Sequence, residues 1–460
     1  MTSDDILAQI WAETGLDAGM PGAASLSGTD PCLPSSFHVG AAATASIAAS
    51  ALAAAALWKL RTGRQQEVAV DMRHACAEFR SEHFASLDGA PVPARWDEIA
   101  GLYPAEGEGW VRLHTNFPHH RAGVIRLLGC AANRDAVASA LRERDAVAFE
   151  TEAAEAGLAV SAMRSFAAWD AHPQGRAVPT RDLIAITQIG DAPPARLPDG
   201  PRPLSGVRVL ELVRVIAGPV GGRTLAAHGA DVMNITGPHL PSVETLDVNR
   251  GKLSAQLDLR EPDGCAALER LIGHSDVFVQ GYRPGAVAGL GFGPERAAAL
   301  RPGLVYATLS AYGPAGPWSG RHGFDSLVQT ASGFNAAEAE AFGQAAPRPL
   351  PAQALDHATG YLLATGVMAA LHRRATIGGS WHVEVSLART AHWLRSLGRV
   401  PEGVRAKAPA EADIADLFET TASPFGAVRA LRHAAVLSET PPFWTRPSVP
   451  LGTHAASWPA

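Results

Sequence analysis

Between Pro203 and Leu371 the chain alternates short apolar runs with helical segments, and this alternation narrows the possible folds more than any other feature. Pro203-Leu204-Ser205-Gly206-Val207-Arg208-Val209-Leu210-Glu211-Leu212 is β-branched and aliphatic, the composition of a buried strand. A glycine-rich turn, Ala217-Gly218-Pro219-Val220-Gly221-Gly222, leads into a helix from Arg223 to His228. A second strand follows at Gly229-Ala230-Asp231-Val232-Met233-Asn234-Ile235. Strand, glycine turn, helix and strand make a βαβ unit, so the fold class is α/β with a parallel, Rossmann-like sheet.

The glycines do not spell a dinucleotide fingerprint. Gly218, Gly221 and Gly222 miss the G-x-G-x-x-G spacing, and Thr236 stands where an acidic ribose ligand belongs. This argues against an NAD-dependent oxidoreductase. The Gly-Pro pair still lets backbone amides approach a phosphate or carboxylate at a helix start.

Composition excludes other classes. A net charge of −6 without a basic block gives no nucleic-acid surface. Cys32, Cys76, Cys130 and Cys265 lie far apart with no CxxC spacing, as reduced cytoplasmic thiols do. The acidic start Met1-Thr2-Ser3-Asp4-Asp5 does not read as a secretory leader. Val39 to Trp58 is uncharged and nearly long enough to span a bilayer, but its alanine, Thr44, Ser46 and Ser50 read as a packed internal helix, so no membrane partner is expected. His114, His119 and His120 have no carboxylate or cysteine at ligand spacing, so no metal is expected there.

Prolines 193, 194, 198, 201 and 203 set a boundary near residue 200. The expected organisation is a smaller α+β region over 1–200, the sheet domain over 201–396 and a wrapping tail over 397–460. A partial repeat links the halves. The alanine helix ending Ala56-Leu57-Trp58-Lys59-Leu60-Arg61 and the strand Glu67 to Met72 match Gly366 to Arg374 and His382 to Leu387 in order. Counting back from Leu57 puts Ala42 opposite Asp356.

A series of motifs resembles one family. It comprises Pro203 to Leu212 with Arg214 and Ala217-Gly218-Pro219; Gly229-Ala230-Asp231-Val232; Asn249-Arg250-Gly251-Lys252 with Leu257-Asp258-Leu259; Ser275-Asp276-Val277 with Arg283-Pro284-Gly285; Gly289-Leu290-Gly291; and Tyr312-Gly313, Gly316-Pro317 and Asp325. In that order the motifs resemble the class III CoA-transferases, which include formyl-CoA and carnitine CoA-transferases and the α-methylacyl-CoA racemases. Gly107 to Val111, Trp169 to Gln174 and Ser423 to Gly426 resemble material that follows the sheet domain in that family, so the order looks permuted. Two departures stand out: Thr236-Gly237-Pro238 replaces an acidic pair after the second strand, and residues 77–110 hold no run of three glycines.

The resemblance implies an acyl-CoA:carboxylate CoA-transferase. CoA and acyl-CoA would be its substrates, a free carboxylic acid its second reactant, and a homodimer its assembly, with no tightly bound cofactor. Asp356 then corresponds to the nucleophile; on its residues alone, it reads as an N-cap of the helix it opens. The helix N-terminus is expected to hold it anionic. Arg214, Arg250, Lys252 and Arg283, with backbone from Ala217 and Gly218, are the candidate CoA contacts, or else solvated cations. Where the racemases carry histidine before aspartate, this chain has Gly323-Phe324-Asp325, which disfavours proton exchange through that pair. Asp325 is expected to cap the helix Ser326 to Ser332. A non-catalytic CoA-binding relative is the other reading.

Overall fold

The computed structural model describes residues 1–92, 96–240 and 246–459. Its centre is a seven-stranded sheet whose strands, in chain order, are β1 (Ala185–Gly190), β2 (Arg208–Leu212), β3 (Asp231–Thr236), β4 (Lys252–Gln256), β5 (Val277–Gln280), β6 (Val305–Ser310) and β7 (Ser380–Ser386). In space they run β4-β3-β2-β5-β6-β7-β1. All neighbours are parallel except β1, which lies antiparallel to β7 at the edge. From β2 the chain steps outward to β3 and β4, then returns to place β5 on the other side of β2. The strand order therefore reverses between β2 and β5, and the carboxyl ends there form the cleft where α/β sheets bind ligands.

Four helices position the site: α1 (Val39–Thr62), α2 (Ala217–Ala227), α3 (Asp325–Ala331) and α4 (Ala354–Thr376). The sequence suggested a glycine turn before a helix at Arg223. Instead Gly218, Gly221 and Gly222 lie within α2 itself, and all are buried. Pro219 falls in the first turn, where a missing N–H costs nothing. The glycines serve close approach rather than turning. A Cβ on Gly360 of α4 would lie 2.6 Å from the Ala217 carbonyl, and one on Gly221 would lie 3.0 Å from Leu363. Because α4 is wedged between α1 and α2, it is buried almost all round.

Residues on both sides of the expected boundary near 200 share one core. It runs from Ile6 and the alanines of α1 through Val209 and Val383 to Leu437, and β1 from the first two hundred residues completes the main sheet. Helix α1 is long and apolar enough to cross a membrane, yet its most apolar stretch is entirely buried within the chain. Residues 397–459 do more than wrap a surface. Phe418–Ser423 and Gly426–Leu431 form a hairpin that adds to Ser86-Leu87, and Ala435–Leu437 pairs antiparallel with Val68–Asp71.

That last pairing completes a small sheet of Ala24–Ser27, Val68–Asp71 and Ala435–Leu437, parallel on one side and antiparallel on the other. The trio β6-β7-β1 has the same pattern, and α1 packs on α4 between the two sheets.

The contact between α2 and α4 gives a test. Gly360→Ala pushes a methyl group into backbone and should cost about 1–3 kcal/mol, as overpacking does. Gly221→Ala should cost less, since its nearest neighbour is the tip of a leucine. Denaturant midpoints for the two variants check the order.

Candidate active site

The loop leaving β2 runs Val213-Arg214-Val215-Ile216 into α2. Val215 holds φ at 72°, a left-handed conformation costly for a β-branched residue. Strain of this kind, of order 1–3 kcal/mol, persists only where surrounding packing imposes it. The loop forms one wall of a cavity of about 310 Å³ at the strand-order reversal. The opposite wall comes from Gly281 to Pro284 after β5. Phe117 and His120 close it from the first two hundred residues, and Arg321 to Phe324 from the segment before α3.

Asp356 faces this cavity from the first turn of α4 and is only 7% exposed. Arg214, Ala217, Gly218 and Arg283 line the same space, so five of the seven residues singled out in the sequence meet at one place. The Arg214 guanidinium sits 4.8 Å from the centre of the Phe117 ring, an arrangement that orients it.

Arg250 and Lys252 are elsewhere. Arg250 is 3% exposed and pairs with Asp247 at 2.6 Å and Glu419 at 3.1 Å. Lys252 is 2% exposed and donates to Glu211 at 2.6 Å and the Pro219 carbonyl at 2.8 Å. Neither lines the cavity. The basic turn that contains them looked like a phosphate contact, but Arg250 neutralises the buried Asp247 three residues before it, and Lys252 the buried Glu211 of β2.

The role expected of Asp325 also changes. It is the first residue of α3, not its cap, and its carboxylate reaches across to the start of α4. There Oδ2 accepts the backbone N–H of Leu355 at 2.8 Å and of Asp356 at 3.0 Å, while Gln329 donates to Oδ1. Free amides at a helix start need such an acceptor. Helix α1 begins the same way: Asp30 accepts from Gly40 at 3.1 Å and Ala41 at 3.0 Å. By this correspondence Ala41, not Ala42, stands opposite Asp356.

The electrostatics reverse one expectation. Burial first, then the charges of Asp325 and Glu82, push the Asp356 carboxyl well above the usual carboxylate range. The helix terminus does not hold it anionic, because Asp325 already occupies the amides that would have done so. Asp325 is itself raised to about 6 by burial, against the hydrogen bonds from Asp356, Gln329 and Leu355. Next to the candidate nucleophile, His357 Nε2 meets Glu82 at 3.0 Å.

The place of several residues at the cavity escaped sequence reasoning. His120 and His322 are held neutral at about 3 and about 4, by burial first and then by His119 and Arg283 respectively. Phe324 stacks on His114 with ring centres 3.7 Å apart, and burial takes His114 down to about 3. Among the described residues no group of three or more His, Cys, Asp or Glu is placed to hold a metal. The signal for the missed wall was Phe117-Pro118-His119-His120, which reads as an ordinary helix start until the fold brings it to Arg214.

Three tests follow from this geometry. Asp325→Asn removes the like charge beside Asp356 while keeping an acceptor for the amides. Carboxyl-carbon NMR should then show Asp356 titrating at lower pH than in the parent chain. A carboxyl raised by burial takes stability away once the pH exceeds its unfolded value near 4. The parent should therefore be less stable than Asp356→Asn at pH 8, and the gap should close towards pH 4. Lys252→Met leaves Glu211 buried and unpaired, at a cost of about 3–5 kcal/mol in denaturant unfolding.

A family model described as CoA-transferase family III matches residues 204–454. An acyl-CoA transferase of Gibberella moniliformis is 28% identical over 368 residues, covering 70% of this chain and 64% of that protein. The succinate–glutarate CoA-transferase of Agrobacterium fabrum is 34% identical over 42% of this chain and 52% of its own length. Formyl-CoA:oxalate CoA-transferase of Rhodopseudomonas palustris is 32% identical over 40% and 46%. The chain thus spans about half the length of most of these curated relatives. Among solved structures, Rv3272 of Mycobacterium tuberculosis aligns at 32% identity over 42% of this chain and 57% of that one, with a TM-score of 0.40.

Proposed function

This chain belongs to CoA-transferase family III, and from that premise we propose that it moves CoA from an acyl-CoA to a free carboxylic acid through covalent intermediates on Asp356. The observation that carries the reading is a carboxylate, 7% exposed, opening into the same cavity as Arg214, Arg283 and the Ala217-Gly218 backbone.

In this scheme an oxygen of Asp356 bonds to the acyl carbon of the thioester. The carbon–sulfur bond breaks and CoA leaves as a thiolate, giving a mixed anhydride. The thiolate then attacks the Asp356 carbonyl carbon and releases the acyl group as a carboxylate, so that Asp356 carries CoA as a thioester. The acceptor acid repeats the two steps in reverse order and restores the free aspartate. Each step exchanges one anion for another, so a site with few waters and fixed cations suits all of them.

The chain's own groups divide the work. Arg214 and Arg283 offer charge to the phosphates of CoA, and the Ala217-Gly218 backbone lies open to its arm. Desolvation makes the ionised Asp356 a stronger nucleophile than a hydrated carboxylate, at the expense of the ionised fraction at neutral pH. Asp325 fixes the peptide that carries it, so attack needs no rearrangement of the helix start.

Hydroxylamine tests the covalent step. Added together with acyl-CoA, it should convert Asp356 to a hydroxamate and stop turnover, while leaving the residue untouched without substrate. Asp356→Asn should fold and bind CoA yet lose transfer by several orders of magnitude. A fully active Asp356→Asn enzyme rules the reading out. CoA binding without any trapped peptide would make the chain a non-catalytic relative.

A further inference from the structure

Two stretches of the chain build the same unit. In the first, Ala24–Ser27 lies parallel to Val68–Asp71, with α1 as the crossover between them; in the second, β6 lies parallel to β7, with α4 in that place. The likeness extends to single atoms. Asp30 accepts the amides of the second and third residues of α1, and Asp325 those of the second and third residues of α4. Each unit's second strand runs without a loop into a helix, Met72–Glu78 or Leu387–Ser396. The last strand residue caps that helix by accepting from its third amide, Asp71 from His74 at 3.2 Å and Ser386 from Arg389 at 3.3 Å. Across the parallel ladders both caps face a serine, Ser27 and Ser310.

Any two right-handed crossovers place a helix between parallel strands. They have no reason to exchange material, and these two do. The first unit's central strand is completed by Ala435–Leu437 from the end of the second, and β7 by β1 from the end of the first, both antiparallel. The segments after the capped helices also cross over. Phe79 stacks on His357 at the start of α4, with ring centres 5.4 Å apart, and Glu82 reaches the same imidazole at 3.0 Å. In return, Arg399 bridges to Phe37 at the start of α1, its guanidinium 4.3 Å from the ring. Such reciprocity is the mark of a twofold contact between like subunits.

The two helix starts differ in what they face. That of α4 opens on the cavity that Phe117 and His120 of the first unit help to close. That of α1 presents Ala41, 3% exposed, and among the described residues its sheet has three strands, with no counterparts of β2 to β5. We infer that residues 24–190 and 305–437 are two copies of one unit joined in one polypeptide, the first serving as a built-in partner to the second, so that a single chain holds one complete site. The homodimer that the resemblance implies is replaced by a contact within the chain. What concerns the site rests on Asp356 being its reactive residue; the exchange of strands does not.

Ala69 and Val436 are exposed and stand directly opposite each other where the end of the chain meets Val68–Asp71. Opposed residues of antiparallel strands lie within the reach of a disulfide. In the full chain carrying Ala69→Cys and Val436→Cys, oxidation by copper–phenanthroline should close a disulfide within one chain. A non-reducing gel then shows a single-chain band, and the digest shows the two substituted peptides joined. Sedimentation equilibrium of the unsubstituted chain should give a mass of 48.0 kDa, and calorimetry on that species should show one CoA bound per chain. A disulfide linking two chains, no disulfide at all, or a stable two-chain particle overturns the inference. So does CoA binding that appears only when chains pair. A single chain that closes its own disulfide but binds no CoA keeps the architecture and removes the transfer reading.

Discussion

The site depends on one carboxylate that never meets the cavity's contents through its own reactivity. Asp325 Oδ2 accepts the backbone N–H groups of both Leu355 and Asp356, and so joins α3 to the first turn of α4. Without it, two buried amides would lack partners at the point where the reactive side chain leaves the helix. An unsatisfied buried donor costs about 1–3 kcal/mol, so the contact stabilises the fold and orients the chemistry together. It also places a like charge beside Asp356. The same atom that fixes the nucleophile makes it harder to ionise.

Around this centre, distant segments are held by buried charge. Arg223 pairs with Asp247 and with Glu78 at 3.2 Å, while Ser81 donates to Asp247 at 2.5 Å. Tyr361 of α4 donates to the same Glu78, and Arg250 extends the network to Glu419. Glu78 and Ser81 come from the first hundred residues, Arg223 and Asp247 from the middle, and Glu419 from the last fifty. A network like this is worth little against an apolar core of equal volume, but loss of one member strands the others. Its value lies in register: it allows one way of seating the first and last segments against α2 and α4.

What was legible in the sequence follows the range of the forces involved. The strands Arg208–Leu212 and Asp231–Thr236 and the helix carrying Asp356 were readable, because hydrophobic periodicity is local. Helix α2 was not read to its true start, since Gly218, Gly221 and Gly222 are poor helix formers and only the approach of Gly360 explains them. Asp325 was assigned to its neighbouring helix, the natural reading of a carboxylate beside a helix, whereas its partners lie thirty residues on. Arg250 and Lys252 stand in a basic turn that looks solvent-facing until the fold buries Asp247 beside Arg250 and brings Glu211 to Lys252. Phe117 and His120 could not be linked to Arg214 by any spacing, because nearly a hundred residues and two sheets intervene.

Helix α1 has a consequence for how the protein is made. Its apolar stretch is hidden in the finished chain most of all by α4, which begins at Ala354, and then by the helices Ser3–Thr14 and Met72–Glu78. At about 5–20 residues per second, synthesis from α1 to α4 occupies roughly 15–60 s. During that interval a helix with the length and hydropathy of a membrane segment stands on the ribosome without its largest neighbour. The alanine that suits it to tight packing also makes it a weak substrate for bilayer insertion, since each alanine offers little apolar surface. Composition thus decides which of two solvents, lipid or protein, the nascent helix enters.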